Sequence, residues 1–404
     1  MELSKTKYKQ TEIGLIPEDW EVLKLKKTLV ENPKYGIGAA AIDFNFTFPT
    51  YLRITDIEDD GKLRKNNLKS VDHKDSDNYF LKEGDIVFAR TGASVGKSYL
   101  YDIKDGFLVY AGFLIKVSPD IAILNSQFLK AFVTTKTYWN WVTVMSMRSG
   151  QPGINSNEFG NLKIPLPPLP EQKAIAEVLS DTDQLLQVLE QKLTKKRAIK
   201  QGAMQTLLTP KEDWEVKKLG EIGEGIIGLT YSPNDVSKSG TLVLRSSNVQ
   251  NGQLSFKDNV FVEMNLPERV LVKENDILIC VRNGSKRLIG KCAIINKQTE
   301  GSAFGAFMTI YRSIFSKYIF YVFQSHHIQS QIDEVMGATI NQITNKDLNS
   351  FEIPFPSREE QTRIATILSD MDAEIEQLEQ KLSKYKMVKQ GLMQNLLTGK
   401  IRLV

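Results

Sequence analysis

Glu171 to Thr209 reads EQKAIAEVLSDTDQLLQVLEQKLTKKRAIKQGAMQTLLT, and Glu360 to Thr398 reads EQTRIATILSDMDAEIEQLEQKLSKYKMVKQGLMQNLLT. The two stretches align without a gap, and 22 of the 39 aligned residues are identical. Neither contains proline, and each contains a single glycine, at Gly202 and Gly391. The pattern predicts two long helices that arose by tandem duplication, because chance does not produce a repeat of this length and identity.

Apolar residues recur along both stretches in alternating steps of four and three, which is the spacing of a heptad seam. In the first copy the seam runs through Ile175, Leu179, Thr182, Leu186, Leu189 and Leu193, and in the second through Ile364, Leu368, Met371, Ile375, Leu378 and Leu382. A surface helix packed on its own domain is the alternative. Because the seam recurs in both copies, we favour pairing of the two helices with each other. Each helix would be about 57 Å long at about 1.5 Å per residue.

The duplication extends beyond the helices. Glu18–Val22 (EDWEV) returns as Glu212–Val216, and Ile164–Pro167 (IPLP) returns as Ile353–Pro356 (IPFP). Between these markers, short apolar runs such as Asp85–Ala89 and Asp276–Val281 are split by Gly, Asn, Asp and Pro, which is typical of buried strands with turn-rich loops. A helix is predicted near Ser126–Val144, with a counterpart near Ser316–Val335.

We therefore predict two α+β globular domains in a tandem pseudo-repeat, separated and followed by long helices that pair as an antiparallel coiled coil. The predicted bounds are 1–168 for the first domain, 169–209 for the central helix, 210–355 for the second domain and 356–404 for the C-terminal helix. Antiparallel pairing would hold the two domains a fixed distance apart, like the ends of a ruler.

Composition limits the classes of partner. The net charge of +4 and a pI near 8.7 permit a polyanionic partner, although a protein that held DNA alone would usually be more basic. Other subunits are therefore expected to share the DNA. The chain has neither a signal-peptide pattern at its start nor eighteen consecutive apolar residues. We expect a cytoplasmic protein without a membrane partner, in which Cys280 and Cys292 are reduced packing residues.

Motifs for catalysis fail on inspection. Gly92–Ser98 resembles a phosphate-binding loop, but three residues rather than four separate its glycines, and the following residues resemble a strand. His73, His326 and His327 have no metal-ligand spacing with the two cysteines. No Asn/Asp-Pro-Pro-Tyr/Phe segment for amino methylation exists, and Pro119-Asp120 lacks the acidic-x-Lys strand of common nucleases. We predict no catalytic residue, no metal site and no cofactor on this chain.

Taken in order and in duplicate, these markers resemble one family. They are Glu18-Asp19-Trp20 and Asp213–Val216, the two Ile-Pro-x-Pro segments, Glu171-Gln172 and Glu360-Gln361, and the helix ends Leu207–Thr209 and Leu396–Lys400. Over essentially all 404 residues the chain resembles the specificity subunits of Type I restriction-modification systems. One departure is the longer lead, Met1–Pro17, before the first domain.

The resemblance implies two target-recognition domains, each reading one half of a split, asymmetric sequence in double-stranded DNA. It implies that the paired helices set the spacing and dock methyltransferase subunits, and that restriction/translocase subunits join the complex. S-adenosylmethionine would then belong to the methyltransferase, and ATP with Mg²⁺ to the restriction subunit. One alternative function is that of a coiled-coil scaffold that does not read DNA sequence. Another is that of a fused enzyme with its own catalytic centre, but the motifs for such a centre are absent from the sequence.

Base reading uses Arg, Lys, Asn and Gln, whereas Ser, Thr and Lys also hold phosphates. The candidates in the first domain are Arg53, Arg90, Thr91, Ser94, Lys97, Arg148, Gln151 and Asn155. Those in the second are Arg245, Ser246, Ser247, Asn248, Arg282, Asn283, Lys286, Arg287, Lys291, Asn341, Gln342 and Asn345. Solvated loop or turn residues are the alternative for many of them, and a structural salt bridge is the alternative for Arg53 and Arg245. The lysines flanking the helical seam are better explained as a solvated coiled-coil flank than as DNA contacts.

Overall fold

The chain folds into two compact units in a computed structural model, which describes residues 7–147, 152–336 and 341–403. Unit 1 comprises the residues up to Glu190 together with those from Lys381, and unit 2 is Gln191–Gln380. Unit 2 is therefore one continuous stretch of chain, whereas unit 1 is assembled from two stretches.

The domain of unit 1 is α+β. Its elements are β1 (Tyr8–Thr11), β2 (Gly14–Pro17), β3 (Glu21–Lys24), β4 (Lys34–Tyr35), β5 (Ile42–Asp43), β6 (Thr50–Leu52), β7 (Lys69–Ser70), β8 (Ile86–Ala89), β9 (Ser98–Leu100), β10 (Leu108–Tyr110), β11 (Leu114–Val117), α1 (Ser126–Phe132), α2 (Lys136–Ser146), α3 (Ser156–Gly160) and β12 (Lys163–Leu166). One antiparallel sheet has the order β4-β11-β8-β9, and a second has the order β10-β6-β7-β5 with β10 parallel to β6. Strands β3 and β12 pair where the domain begins and ends.

Unit 2 repeats this plan. Its elements are β13 (Glu215–Lys218), α5 (Leu219–Ile222), β14 (Glu224–Ile227), β15 (Val236–Ser237), β16 (Thr241–Leu244), β17 (Val249–Gln250), β18 (Gln253–Leu254), β19 (Phe261–Val262), β20 (Ile277–Cys280), β21 (Cys292–Ile294), β22 (Ala303–Phe304), β23 (Met308–Arg312), α6 (Ser316–Phe323), α7 (His326–Val335), α8 (Asn345–Ser350) and β24 (Glu352–Phe355). The sheet β14-β23-β20-β21 corresponds to β4-β11-β8-β9, and the parallel pair β16–β22 corresponds to β6–β10.

The strands at the centre of both domains were predicted correctly, because β8 and β20 are buried along their whole length. The single helices predicted near 126–144 and 316–335 were wrong in one respect, since each is broken into two. Thr135 begins α2 by accepting a hydrogen bond from the Tyr138 amide at 3.3 Å, and α7 begins after Ser325. Ser and Thr favour such N-cap positions, and at Thr135 the side-chain cap starts a new helix.

Two 39-residue helices, α4 (Leu169–Leu207) and α9 (Arg358–Leu396), follow the two domains. Every predicted seam leucine and isoleucine in them is buried except Leu382, which is partly buried. Within unit 1, Lys389 pairs with Asp183 and Lys386 with Glu190. Moving along α9 from Lys386 to Lys389, the partner on α4 moves back from Glu190 to Asp183. The two helices therefore run antiparallel, as predicted.

The same ion pairs recur in unit 2. Lys200 pairs with Asp372 and Arg197 with Glu379, which are the repeat-related equivalents of the pairs in unit 1. The basic flank of the seam is therefore engaged in pairing the helices. The first turns of each helix also pack on a domain, which was the alternative to helix pairing. Ile175 and Leu179 belong to the core of unit 1, and Ile364 and Leu368 belong to the core of unit 2.

Several sequence markers shared by the two halves tie the domain of unit 1 to its helix. In unit 1 the Trp20 indole donates to Glu171 Oε2 at 3.0 Å, and Arg402 binds both Glu171 and Asp19. The Gln172 amide donates to the carbonyls of Pro167 and Ile123. These residues are conspicuous in the sequence because they form a buried structural joint.

The two cysteines lie on neighbouring strands but face opposite sides of their sheet. Cys292 pairs in register with Ile279 and shares its core cluster, whereas Cys280 packs in the other cluster of unit 2. Both thiols are free and buried, and burial raises the pKa of Cys292 to about 12. They are packing residues, as predicted.

Candidate nucleic-acid interface

In unit 1 the loop between β8 and β9 carries several predicted contact residues. The Arg90 carbonyl accepts from the Ile154 amide at 2.9 Å, and Thr91 forms an isolated bridge with Gly153. The Arg90 guanidinium lies 4.7 Å from the centre of the Tyr35 ring. The structure therefore joins the Arg90–Lys97 loop to the segment that leads to Asn155, although these lie about sixty residues apart in the sequence.

The β20–β21 loop of unit 2 makes the equivalent junction. The Val281 carbonyl accepts from the Ile343 amide at 2.8 Å, and Arg282 forms an isolated bridge with Gln342. The Asn341 side chain donates to the Gly284 carbonyl at 3.3 Å. The predicted clusters at 282–291 and 341–342 thus form one continuous surface.

A third predicted segment joins this surface. The Asn283 side chain donates to Ser246 Oγ at 3.2 Å, which connects the β20–β21 loop to the turn after β16. Arg282, Lys286 and Arg287 are exposed on the loop, and Lys286 lies 3.8 Å from Asp333. We call residues 245–248, 282–291, 305–307 and 341–342 the unit 2 rim, and their counterparts 53–56, 90–97, 111–113 and 152–155 the unit 1 rim.

Several predicted contacts also have structural roles. The Asn248 side chain is fully buried and bonds the Arg245 amide and the Ser255 carbonyl, so it shapes a turn and its burial contradicts a DNA contact. Asn155 caps α3 by accepting from the Glu158 amide, and Asn345 donates to the Gly225 carbonyl. Asn248 thus has the turn-forming role that the sequence left open as the alternative, whereas Asn155 caps a helix and Asn345 bonds a distant carbonyl.

Charged candidates are partly committed to ion pairs. Arg53 binds Asp56 through two guanidinium nitrogens at 2.9 and 2.6 Å, and this hydrogen bonding raises the pKa of Arg53. Arg245 pairs with Asp258 at 2.9 Å, and Lys97 pairs with Asp59 at 2.6 Å. The salt-bridge alternative thus applies to both arginines, and the more accessible cations of unit 2 are those of the β20–β21 loop.

Two arginines nevertheless keep unused hydrogen-bonding capacity. The Nε atoms of Arg90 and Arg245 are buried without a hydrogen-bond partner among the described residues, and Ser247 Oγ shares that condition. Unsatisfied buried donors are uncommon in folded proteins and often mark functional positions. Ser94 and Lys291 lie partly exposed on their rims. Arg148 and Gln151 lie outside the described residues.

The sequence interpretation missed one feature of both rims. Phe113 and Phe307 occupy the tips of equivalent turns and are strongly exposed. The aligned segments Ala111-Gly112-Phe113 and Gly305-Ala306-Phe307, two small residues before an aromatic one in both repeats, are the signal that would have found them.

Within the parts of the chain that the structure describes, no group of three His, Cys, Asp or Glu residues is arranged to hold a metal ion. No helix there is both long and apolar enough to cross a bilayer.

Comparison with known proteins fits this geometry. The family model described as the Type I restriction modification DNA specificity domain matches twice, over residues 17–197 and 211–384. The chain belongs to this family. A Methanocaldococcus jannaschii protein, provisionally named the type I restriction enzyme MjaX specificity subunit, is 31% identical over 98% of this chain and 96% of its own length. The EcoKI specificity subunit of Escherichia coli is 31% identical over 47% of this chain and 44% of its own.

Solved structures of the specificity family share the fold. A crystal structure of a Type I restriction-modification S subunit from M. genitalium covers 93% of this chain and 96% of its own, with a TM-score of 0.62 and 16% identity. A chain from a structural study of complex assembly and conformational transition in the type I system has a TM-score of 0.52 and 17% identity, and the match covers 96% of this chain and 99% of that chain. This specificity subunit therefore has two tandem recognition-type domains and paired long helices, as the sequence predicted.

Proposed function

We propose that this specificity subunit reads a bipartite, asymmetric target in double-stranded DNA, with one half-site for each rim. The observation that carries the proposal is the recurrence of the rim. The same backbone junctions, Arg90–Ile154 in unit 1 and Val281–Ile343 in unit 2, present different side chains in the two units. A shared framework with divergent side chains suits a reader of two different sequences.

The chain is proposed to be non-catalytic and to act within a complex. The paired helices α4 and α9 would dock methyltransferase subunits and set the spacing between half-sites, and restriction/translocase subunits would join that assembly. S-adenosylmethionine would be held by the methyltransferase, and ATP with Mg²⁺ by the restriction subunit. Support comes from family membership, from the modest net charge of +4, and from helical lysines that are engaged in ion pairs between the helices.

Methylome sequencing tests this proposal. Cells that express this chain with its methyltransferase are compared with cells that lack only this chain. We expect a split, asymmetric motif methylated on both strands that disappears without the chain. If both proteins are soluble and bound to each other, yet no motif depends on the chain, the proposal is wrong and the scaffold alternative takes its place.

Replacing the residues of the Arg282–Arg287 loop tests whether the unit 2 rim recognises a single half-site. We expect the replacement to weaken or alter recognition of a single half of the motif, because the loop belongs wholly to unit 2. The matched control replaces the Arg90–Lys97 loop of unit 1, which should affect only the other half. Loss at both halves in a folded variant contradicts the assignment of one rim to each half-site.

A further inference from the structure

An aromatic side chain stands at the same place on both rims. In unit 1, β10 connects to β11 through a tight turn in which the Leu114 amide donates to the Ala111 carbonyl at 2.8 Å. In unit 2, β22 connects to β23 through the same turn, from the Met308 amide to the Gly305 carbonyl at 2.8 Å. Phe113 and Phe307 are the third residues of these turns, and their exposed fractions are 60% and 57%.

The turns are held rigidly although the rings are exposed. The Phe113 carbonyl accepts from the Arg90 amide at 3.1 Å, and the Phe307 carbonyl accepts from the Val281 amide at 3.1 Å. The central residues are fixed as well, since the Gly112 amide donates to the Ile37 carbonyl and the Ala306 amide to the Leu229 carbonyl, both at 2.8 Å.

Two glycines allow this close packing. A methyl group at Gly36 would lie 2.2 Å from the Tyr110 carbonyl oxygen, and one at Gly228 would lie 2.3 Å from the Gly305 carbonyl oxygen. Both distances are too short for a real side chain. Only glycine at these two positions therefore lets the β10–β11 turn approach the backbone at residue 36 and the β22–β23 turn approach the backbone at residue 228. This frame fixes the backbone that carries each ring before any partner binds, which lowers the entropic cost of a contact.

The surroundings of the Phe307 ring are polar and cationic. The Arg282 guanidinium lies 5.2 Å from the centre of the Phe307 ring, and Lys286 and Arg287 follow on the same loop. The Gly305 amide donates to the Leu244 carbonyl, which places the turn beside Arg245. An isolated exposed apolar residue needs no explanation. An aromatic ring on a rigid turn, repeated in both units and flanked by cations at Phe307, matches the major groove of duplex DNA, in which apolar groups such as the thymine methyl lie between rows of phosphates.

We propose that Phe113 and Phe307 are apolar base contacts, one for each half of the DNA target. Each ring packs against apolar groups on the base edges of its half-site, and the cations beside Phe307 bind phosphates. The inference rests on the proposed function, because it assumes that the rims read DNA, and it adds the residues that carry part of the specificity.

The test uses the complete chain bound to its methyltransferase subunit, and duplex libraries in which one half-site at a time is randomised. We expect Phe307→Ala to weaken binding about tenfold, the effect of losing recognition at one base pair of a duplex site. It should also relax selection at one or two adjacent positions of one half-site, and Phe113→Ala should do so in the other half. The slope of log affinity against log salt should not change, because the ring carries no charge, whereas Arg282→Ala should reduce it by about one.

Ile314→Ala and Ile121→Ala are the matched controls. Both isoleucines are exposed and follow the opposite ends of β23 and β11, so these variants should bind like the wild type. The proposal is overturned if Phe307→Ala, still bound to the methyltransferase, keeps the full base profile with affinity within twofold. Impaired assembly with an unchanged base profile also overturns it, since the ring would then contact protein. If instead the proposed function itself is wrong, the wild-type complex will show no sequence-dependent binding, which distinguishes that result from the two outcomes above.

Discussion

At the scale of single residues, the Glu171 carboxylate shows how unit 1 is closed. It is almost completely buried, and it accepts hydrogen bonds from the Trp20 indole and from Arg402 Nε at 2.7 Å. The hydrogen bonds to Glu171 and Asp19 raise the pKa of the Arg402 guanidinium, so this side chain stays charged. A buried carboxylate is tolerated when such partners replace its lost hydration.

We predict that Arg402→Met destabilises unit 1 by about 3 kcal/mol, because it leaves the Glu171 charge buried with an incomplete set of donors. Urea unfolding followed by tryptophan fluorescence in a Trp214→Phe background measures this, since Trp20, Trp139 and Trp141 all belong to unit 1. Arg64→Met is the control, because Arg64 pairs with Glu58 on the surface of unit 1 and its loss should cost less than about 1 kcal/mol. Equal effects of the two variants would contradict the role given to burial.

The buried ammonium of Lys130 should make the stability of the protein depend on pH. Burial lowers the pKa of Lys130 to about 8, and its ammonium donates to the Ser98 carbonyl at 2.7 Å. The pKa of Lys130 in the folded protein lies below that of an unfolded lysine. Its contribution to the free energy of unfolding is therefore complete above about pH 10.5 and is lost as the pH falls through about 8. Relative to Lys130→Met, the wild type should gain on the order of 2–3 kcal/mol between these limits. A flat difference in unfolding free energy over that window would refute the prediction.

At the scale of elements, the paired helices carry two equivalent ion pairs with different burial. The Lys200 side chain of unit 2 is 15% exposed, whereas Lys389 of unit 1 is 30% exposed. In unit 2 the Tyr321 hydroxyl also donates to Asp372 Oδ2 at 3.0 Å. The two equivalent ion pairs therefore differ in burial, and the Tyr321 contact adds to this difference in unit 2.

Double-mutant cycles with Lys200→Met and Asp372→Asn, and with Lys389→Met and Asp183→Asn, should therefore differ. We expect a coupling energy of about 1–2 kcal/mol for the Lys200–Asp372 pair, which is partly shielded from solvent, and below about 0.5 kcal/mol for the Lys389–Asp183 pair. Unfolding free energies of the four single and two double variants provide both values. A larger coupling for Lys389–Asp183 would show that solvent screening does not control these pairs.

The elements also show what sequence patterns can predict. Long seams such as Ile175–Leu193 and buried runs such as Ile277–Cys280 were recognisable because their apolar spacing matches one geometry. The break after Phe132 was missed because neither glycine nor proline marks it, and one threonine cap decides where α2 starts. The pairing of β10 parallel to β6 was not foreseen, since two-residue and three-residue strands have no readable period.

The same distinction applies to the candidate interface. Its loops were found because Arg, Asn and Gly cluster in the sequence, but residue type does not separate a surface asparagine from Asn248, which is buried inside a turn. Phe113 and Phe307 were missed for the converse reason. Aromatic residues are expected in cores, and their exposure depends on a turn held by residues distant in sequence, such as Ile37 and Leu229.

At the scale of the whole molecule, the length of the helices becomes testable. Duplicating one heptad in both, by repeating 186–192 and 375–381, adds about 10 Å to each helix. If the helices set the spacing of the half-sites, the spacer of the methylated motif should lengthen by about three base pairs. Lengthening one helix alone should abolish activity, because the seams no longer match. An unchanged spacer in an active variant with both insertions contradicts the ruler.

The division of the chain between the units has a consequence for folding during synthesis. Unit 2 is continuous from Gln191 to Gln380, whereas unit 1 needs the later residues Leu396, Leu397 and Arg402 for its core and its buried ion pair. Domains usually fold in the order in which they leave the ribosome. Here the ribosome delivers every residue of unit 2 before unit 1 can close, so the domain synthesised first must wait, incomplete, for the domain synthesised second.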